Sequence, residues 1–175
     1  MTMAATATDS ELANFLAHSL ELESEARERY AELADSMDAH HNRPVAEFFR
    51  RMAGEAEHHL REVAQLAAAM TLPSLKAWEF DWPDAEPPET ASYEALHYRM
   101  SLRQAMTLAL SNEHAAERYY REFAKRSADA GTAAVASRFA DEELSHAAQL
   151  ESMIAALPED CPDPREEDDE PHMPE

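Results

Sequence analysis

Four glutamates occupy positions in this sequence where helical spacing predicts buried side chains. Heptad-like spacing in four stretches rich in Ala, Leu and Glu predicts one buried stripe per helix. Each stripe is mainly apolar but carries one Glu near its middle: Glu23, Glu55, Glu113 and Glu143. Burying four carboxylates without counter-charge would be strongly unfavourable, whereas two divalent cations would neutralise them. The pattern therefore predicts a metal centre inside a helical bundle.

Histidines follow two of these glutamates. His58 comes three residues after Glu55, and His146 three residues after Glu143, a spacing that places both side chains on one helical face. His59 is also available, but the match with the Glu143 pair favours His58. Mixed carboxylate and imidazole ligands suit iron or manganese, and zinc is possible, whereas calcium rarely takes histidine.

An internal repeat relates the two halves of the chain. Residues 23–34 (ESEARERYAELA) align with residues 113–124 (EHAAERYYREFA). The alignment pairs Glu23 with Glu113 and Tyr30 with Tyr120. Two similar helical hairpins related by a pseudo-twofold axis would bring equivalent ligands together at the centre of the bundle.

Proline-free stretches predict four long helices. They run from a capping box at Thr8–Glu11 to near His40, from Pro44 to before Leu72, from Ser101 to before Gly131, and from about Thr132 to Leu157. Short connections within each pair predict an all-α fold of two antiparallel hairpins. A long crossover, residues 72–100, joins them; it is expected to hold a short helix around Ser92–Arg99 and to pack on the bundle through Trp78, Phe80 and Trp82.

Composition limits the other possibilities. A length of 175 residues suits one domain, here a flexible N-terminus (1–8), a bundle (9–157) and a disordered, acidic, Pro-rich tail (158–175). A net charge of −21 argues against nucleic acid and anionic membranes as partners. Two glycines argue against phosphate-binding loops, and one cysteine, Cys161, excludes an internal disulfide framework. No signal segment is recognised, so a cytoplasmic location is expected.

The run at 23–30 and the two Glu-x-x-His pairs resemble the ferritin-like superfamily, and most closely the di-iron domain of rubrerythrin, over roughly residues 9–157. The resemblance implies a ferritin-like four-helix bundle with two iron ions per site, or manganese, that oxidises Fe(II) and reduces dioxygen or hydrogen peroxide. It also implies residue roles. Glu23 and Glu113 are terminal or bridging ligands, Glu55 and Glu143 bridging ligands, His58 and His146 terminal ligands, and Tyr30 and Tyr120 hydrogen-bond donors that orient the carboxylates.

Two departures from the family pattern are visible. Rubrerythrins carry a further third-helix Glu three residues after the first; here that position is Ala116, and Glu117 lies one step off the stripe. No rubredoxin-like electron-transfer domain is expected within these 175 residues, since one cysteine cannot build it. A peroxidase would therefore need an external electron donor.

Several alternatives stay open at this point. The same centre could oxidise iron for storage or detoxification in an oligomeric shell, or hydroxylate an organic substrate that reaches the metals through an apolar channel. A further hypothesis is a helical interaction module that binds no metal. A homodimer or larger homo-oligomer is expected, with the site formed within one chain or by hairpins swapped between two. Histidines outside the stripes, including His18, are expected at the surface.

Overall fold

A computed structural model describes residues 7–83, 88 and 97–158, with backbone alone for 7–10. Four α-helices account for most of these residues and no strand occurs among them, which confirms the predicted all-α four-helix bundle. The helices are α1 (Ala7–Ala39), α2 (Arg43–Ala67), α3 (Leu102–Arg126) and α4 (Ala130–Ala156). Within the described ranges, none of them has an apolar stretch that could cross a bilayer.

The first hairpin turns sharply at the end of α1. The N–H of Asn42 donates to the carbonyl of Met37 and that of His41 to Asp38, which is the hydrogen-bond pattern of a Schellman motif. His41 has a φ of 62°, the left-handed conformation that this motif requires and that glycine usually supplies. Pro44 lies in the first turn of α2, where its missing N–H costs nothing. The turn lays α2 antiparallel along α1.

The second hairpin is fixed by caps at both of its helix starts. Ser101 and Gln104 form the predicted capping box at the start of α3. The Asp129 side chain accepts from the N–H of Thr132 at the start of α4. The Glu11 carboxylate accepts from Ser127 Oγ and from the backbone at 128 and 129, so it holds the α3–α4 connection.

Buried apolar residues form two clusters with a polar layer between them. The Phe49 cluster includes Ala26, Met52, Ala56, Ala109 and Leu150, and the Phe15 cluster includes Leu22, Val63, Ala116, Tyr120 and Ala140. Each helix contributes residues to both clusters. On each helix, an inward-facing polar residue that lies between these two groups belongs to the polar layer. Those residues are Glu23 on α1, His59 on α2, Glu113 on α3 and Glu143 on α4.

The described part of the crossover packs on α1 and α3 through aromatic rings. Trp82 lies against Tyr119 and His18, as expected, whereas Trp78 is 79% exposed. His18 is buried, which corrects the expectation of a surface position: its Nε2 accepts from the N–H of Asp81 and its Nδ1 faces the carbonyl of Asn14.

Three other predictions fall wholly or largely outside the described residues. They are the helix at 92–99, of which only 97–99 are described, the flexible segment 1–8, of which 7–8 have helical backbone, and the tail 158–175, of which only Pro158 is described.

Candidate metal centre

A small cavity opens in the polar layer, between the two hairpins. All four helices contribute to its wall, and most of the side chains that line it are acidic or imidazole groups. The lining residues are Glu23, Tyr30, Met52, Glu55, Ala56, His59, Glu113, Glu143 and His146.

The first hairpin supplies one carboxylate–imidazole pair to this cavity. Glu23 of α1 is 2% exposed, and its Oε2 lies 3.6 Å from Nδ1 of His59 on α2. That oxygen makes no hydrogen bond among the described residues although it is fully buried. A buried carboxylate oxygen without a donor is unfavourable, and a bound cation would satisfy it.

The second hairpin supplies two carboxylates and one imidazole. Nδ1 of His146 lies 3.4 Å from Oε2 of Glu143 and 3.6 Å from Oε2 of Glu113. Both glutamates are buried, at 3% and 6% exposure. The spacing of three residues on α4 therefore places Glu143 and His146 on one face, as predicted.

The two hairpins meet where the imidazole rings stack. The ring centroids of His59 and His146 are 4.8 Å apart, with an interplanar angle of 15°. Potential ligand atoms of His59, Glu143 and His146 all lie within 4.8 Å of one another, a grouping that could hold a metal ion. The donor set of carboxylate oxygens and imidazole nitrogens fits iron or manganese.

The electrostatics of the cluster show how closely its groups are coupled. Burial raises the pKa of Glu143 to about 6, against the opposing effect of His146, and burial also raises the pKa of Glu23. Burial alone would lower the pKa of His59, but the carboxylates of Glu23 and Glu143 raise it to about 9. Glu113, followed by Glu143, raises the pKa of His146 to about 10. Each carboxylate–imidazole pair therefore holds a proton near neutral pH, which a metal ion would displace.

His58 does not reach this cavity, and the preference for it over His59 is corrected. Its side chain is 64% exposed and pairs with Glu62 on the outer surface of α2, 3.6 Å away. Successive residues of an α-helix are about 100° apart around its axis. Viewed along the axis of α2, His59 therefore lies about 20° from the direction of Met52, whereas His58 lies about 120° from it. The apolar residues Ala56 and Val63 on either side of His59 were the sequence signal for this face.

Glu55 borders the cavity but is exposed, so it differs from the other three predicted glutamates. By the same helical geometry it lies about 60° from the direction of Met52. The buried position next to it is Ala56, at 5% exposure. The predicted stripe on α2 therefore departs from the buried face after Met52. Its next two members follow at successive spacings of three residues, and each such spacing falls about 60° short of a full turn.

The two predicted tyrosines are both buried but have different surroundings. Tyr30 lines the cavity, and its hydroxyl accepts a hydrogen bond from Nδ2 of Asn112 at 3.0 Å. Tyr120 is not among the cavity-lining residues, and its ring packs against Phe15 and Phe139. Of the two, Tyr30 is the one whose side chain lines the cavity.

The absence of a further third-helix carboxylate is visible in the packing of α3. Ala116 is fully buried, and the Glu117 carboxylate lies 2.9 Å from Nε of Arg121.

A second small recess reaches the same cluster from another side. It shares Glu23, His59 and Glu143 with the first cavity and adds the partly exposed acids Glu62 and Glu142. An acidic opening of this kind would attract cations.

Comparisons with known proteins agree with this geometry. The model of the Rubrerythrin family matches residues 14–107. Among solved structures, the chain is similar to an uncharacterized conserved protein from Magnetospirillum magnetotacticum MS-1. The two are 40% identical, with a TM-score of 0.65, over 85% of this chain and 97% of that chain. No curated protein matches the sequence.

Proposed function

Because the chain belongs to the rubrerythrin family of ferritin-like di-iron proteins, we propose that it is a non-haem iron oxidoreductase that oxidises Fe(II) and reduces dioxygen or hydrogen peroxide. Manganese is the alternative metal. The proposed ligands are those that face the cavity in the polar layer: Glu23, His59, Glu113, Glu143 and His146.

One observation carries the proposal. Glu23, Glu113 and Glu143 are all buried in the same layer, and the basic groups that lie against them are two imidazoles. Three buried carboxylates would destabilise the bundle unless cations balance them. The imidazoles can do so as protonated groups, and a metal ion can do so while leaving them neutral as ligands.

Bound iron would supply the redox chemistry: the two electrons released when two Fe(II) ions are oxidised to Fe(III), together with two protons, would reduce one hydrogen peroxide to two water molecules. The protein binds the ions and fixes the carboxylates in place. The hydrogen bond between Asn112 and Tyr30 holds the phenol at the edge of the cavity.

The openings favour small polar reactants. Both recesses that reach the cluster are lined mainly by Glu and His side chains. This lining suits metal ions and hydrogen peroxide better than an apolar organic substrate. Repeated peroxide reduction would draw electrons from an external donor.

The test is to load the metal-free protein with Fe(II) under anaerobic conditions, count bound iron, and follow its oxidation by dioxygen and by peroxide. We expect Glu143→Gln and His146→Gln to lose iron binding and oxidation, and the surface variant His58→Gln to keep both. Iron binding near zero in the wild-type protein would overturn the proposal. Assembly size, from light scattering, separates the two iron chemistries: a large closed shell supports storage, and a dimer supports redox turnover.

A further inference from the structure

The two stacked histidines differ in what precedes them on their helices. Three residues before His146 stands Glu143, whose carboxylate is buried in the cavity. Three residues before His59 stands Ala56, which is equally buried and lines the same cavity. A methyl group therefore occupies the position on α2 that corresponds to a carboxylate on α4.

We propose that the two halves of the centre are unequal. The half formed by Glu113, Glu143 and His146 binds one divalent ion tightly. The half formed by Glu23 and His59 binds a second ion much more weakly, because Ala56 supplies no carboxylate. This inference rests on the proposed function and assigns separate roles to its two ions.

Charge balance supports the inequality. Glu23, Glu113 and Glu143 together carry three negative charges when ionised, and the imidazoles are neutral as metal ligands. A first divalent cation leaves one negative charge in the layer. A second cation is attracted by that single net charge instead of three, so it binds more weakly.

Glu55 is the remaining carboxylate that lines the cavity, and it could in principle supply the missing charge. It is exposed, however, so its carboxylate is hydrated and its side chain is free to move. Drawing it to a second ion would cost both hydration and rotamer entropy. The variant Glu55→Gln tests this alternative.

The recess beside Glu62 and Glu142 points to the same half. It is lined by both residues of the weakly binding half, Glu23 and His59, and by Glu143 alone of the three residues in the tightly binding half. The weakly held ion would therefore lie closer to this acidic opening than the tightly held one. This arrangement fits a resident ion paired with an iron ion that enters, is oxidised and leaves.

The experiment is a titration of the metal-free, full-length protein with Co(II), followed by its d–d absorption and by counting bound ions after dialysis. We expect one tight equivalent and a second that binds at least tenfold more weakly. Ala56→Glu should bring the second affinity to within tenfold of the first, whereas the neutral variant Ala56→Gln should not. Glu55→Gln should leave the two-step titration unchanged.

Two further variants test the assignment if Ala56→Glu does not fold. Glu23→Gln should abolish the weak equivalent and keep the tight one, and Glu113→Gln should abolish the tight one. The opposite pattern, or two equally tight ions in the wild-type protein, would overturn the inequality but leave the proposed function standing. No bound Co(II) in the wild-type protein would overturn both.

Discussion

The imidazole rings of His59 and His146 lie face to face, 4.8 Å apart at an angle of 15°, although they belong to different hairpins. Both histidines have raised pKa values, about 9 and about 10, so two cationic rings are stacked in the metal-free protein near neutral pH. This arrangement is tolerated because buried carboxylates lie against both rings. In the proposed metal-bound state, a metal ion would replace these protons and the same five groups would be its ligands.

Adjacent histidines on α2 provide a matched test of the site. His59→Gln should weaken metal binding by more than about tenfold, the loss seen when groups supporting a metal site are removed. His58→Gln should bind metal as the wild-type protein does, because His58 is exposed and paired with Glu62. Calorimetric titration with Co(II) measures both affinities, and the reverse result would contradict the assignment of His59.

Stability of the metal-free protein should fall as the pH rises. The pKa values of His59 and His146 are raised from 6.5 to about 9 and about 10, so the folded state binds more protons than the unfolded state in this range. Their stabilising contribution is complete below pH 6.5 and is lost as the pH passes through 9 to 10. The change of Tm with pH, measured by thermal unfolding in the presence of a chelator at several pH values, tests this prediction.

The variant Glu23→Gln/His59→Gln/Glu143→Gln/His146→Gln is the control for that slope, because the strongly negative net charge also changes with pH and because removing the histidines alone would leave buried carboxylates without counter-charge. Its Tm should depend less on pH between 6.5 and 10 than that of the wild-type protein. Equal slopes in the two proteins would show that these histidines do not carry the effect.

The acidic opening should accelerate metal entry without setting the number of bound ions. In Glu62→Gln/Glu142→Gln, two negative charges are lost at the recess that reaches Glu23 and His59. Association of Co(II), followed by stopped-flow absorption, should slow by several-fold at low ionic strength, and the difference should shrink in high salt. An unchanged rate at low salt would argue that ions enter elsewhere.

His18 should hold the crossover against the bundle. It accepts the N–H of Asp81 and packs against Phe80 and Trp82. In a Trp78→Phe background, Trp82 is the remaining tryptophan, so the tryptophan fluorescence comes from it alone. His18→Ala should shift the emission of Trp82 to longer wavelength, because its ring gains contact with water. His40→Ala, a change at an exposed histidine, is the control and should leave the emission unchanged.

The turn between α1 and α2 offers a stabilising substitution. His41 is exposed and has a φ of 62°, a conformation that costs a residue with a Cβ atom about 1 kcal/mol relative to glycine. His41→Gly should therefore raise the free energy of unfolding by about 1 kcal/mol, which urea denaturation measures. Asp38→Gly, three residues earlier in the helix, should lower it, because glycine is unfavourable in a helix.

Local sequence determined the helices, their pairing and most of the buried faces. On α1, α3 and α4 the apolar pattern is continuous on both sides of one Glu, so helical geometry alone fixes which carboxylate points inward. The short turns then require antiparallel hairpins. The positions of Glu23, Glu113, Glu143 and His146 could therefore be predicted without a structure.

The tertiary structure decided the rotation of α2 and, with it, the composition of the site. Glu55 and Ala56 are neighbours, as are His58 and His59, and each pair fits a helical stripe of slightly different direction. Packing of Phe49, Met52 and Val63 against the other helices selects one rotation, because burying those side chains outweighs any preference of the polar residues between them. That rotation turns His59 and Ala56 inward and leaves Glu55 and His58 exposed, so one hairpin brings a carboxylate fewer to the centre than the other.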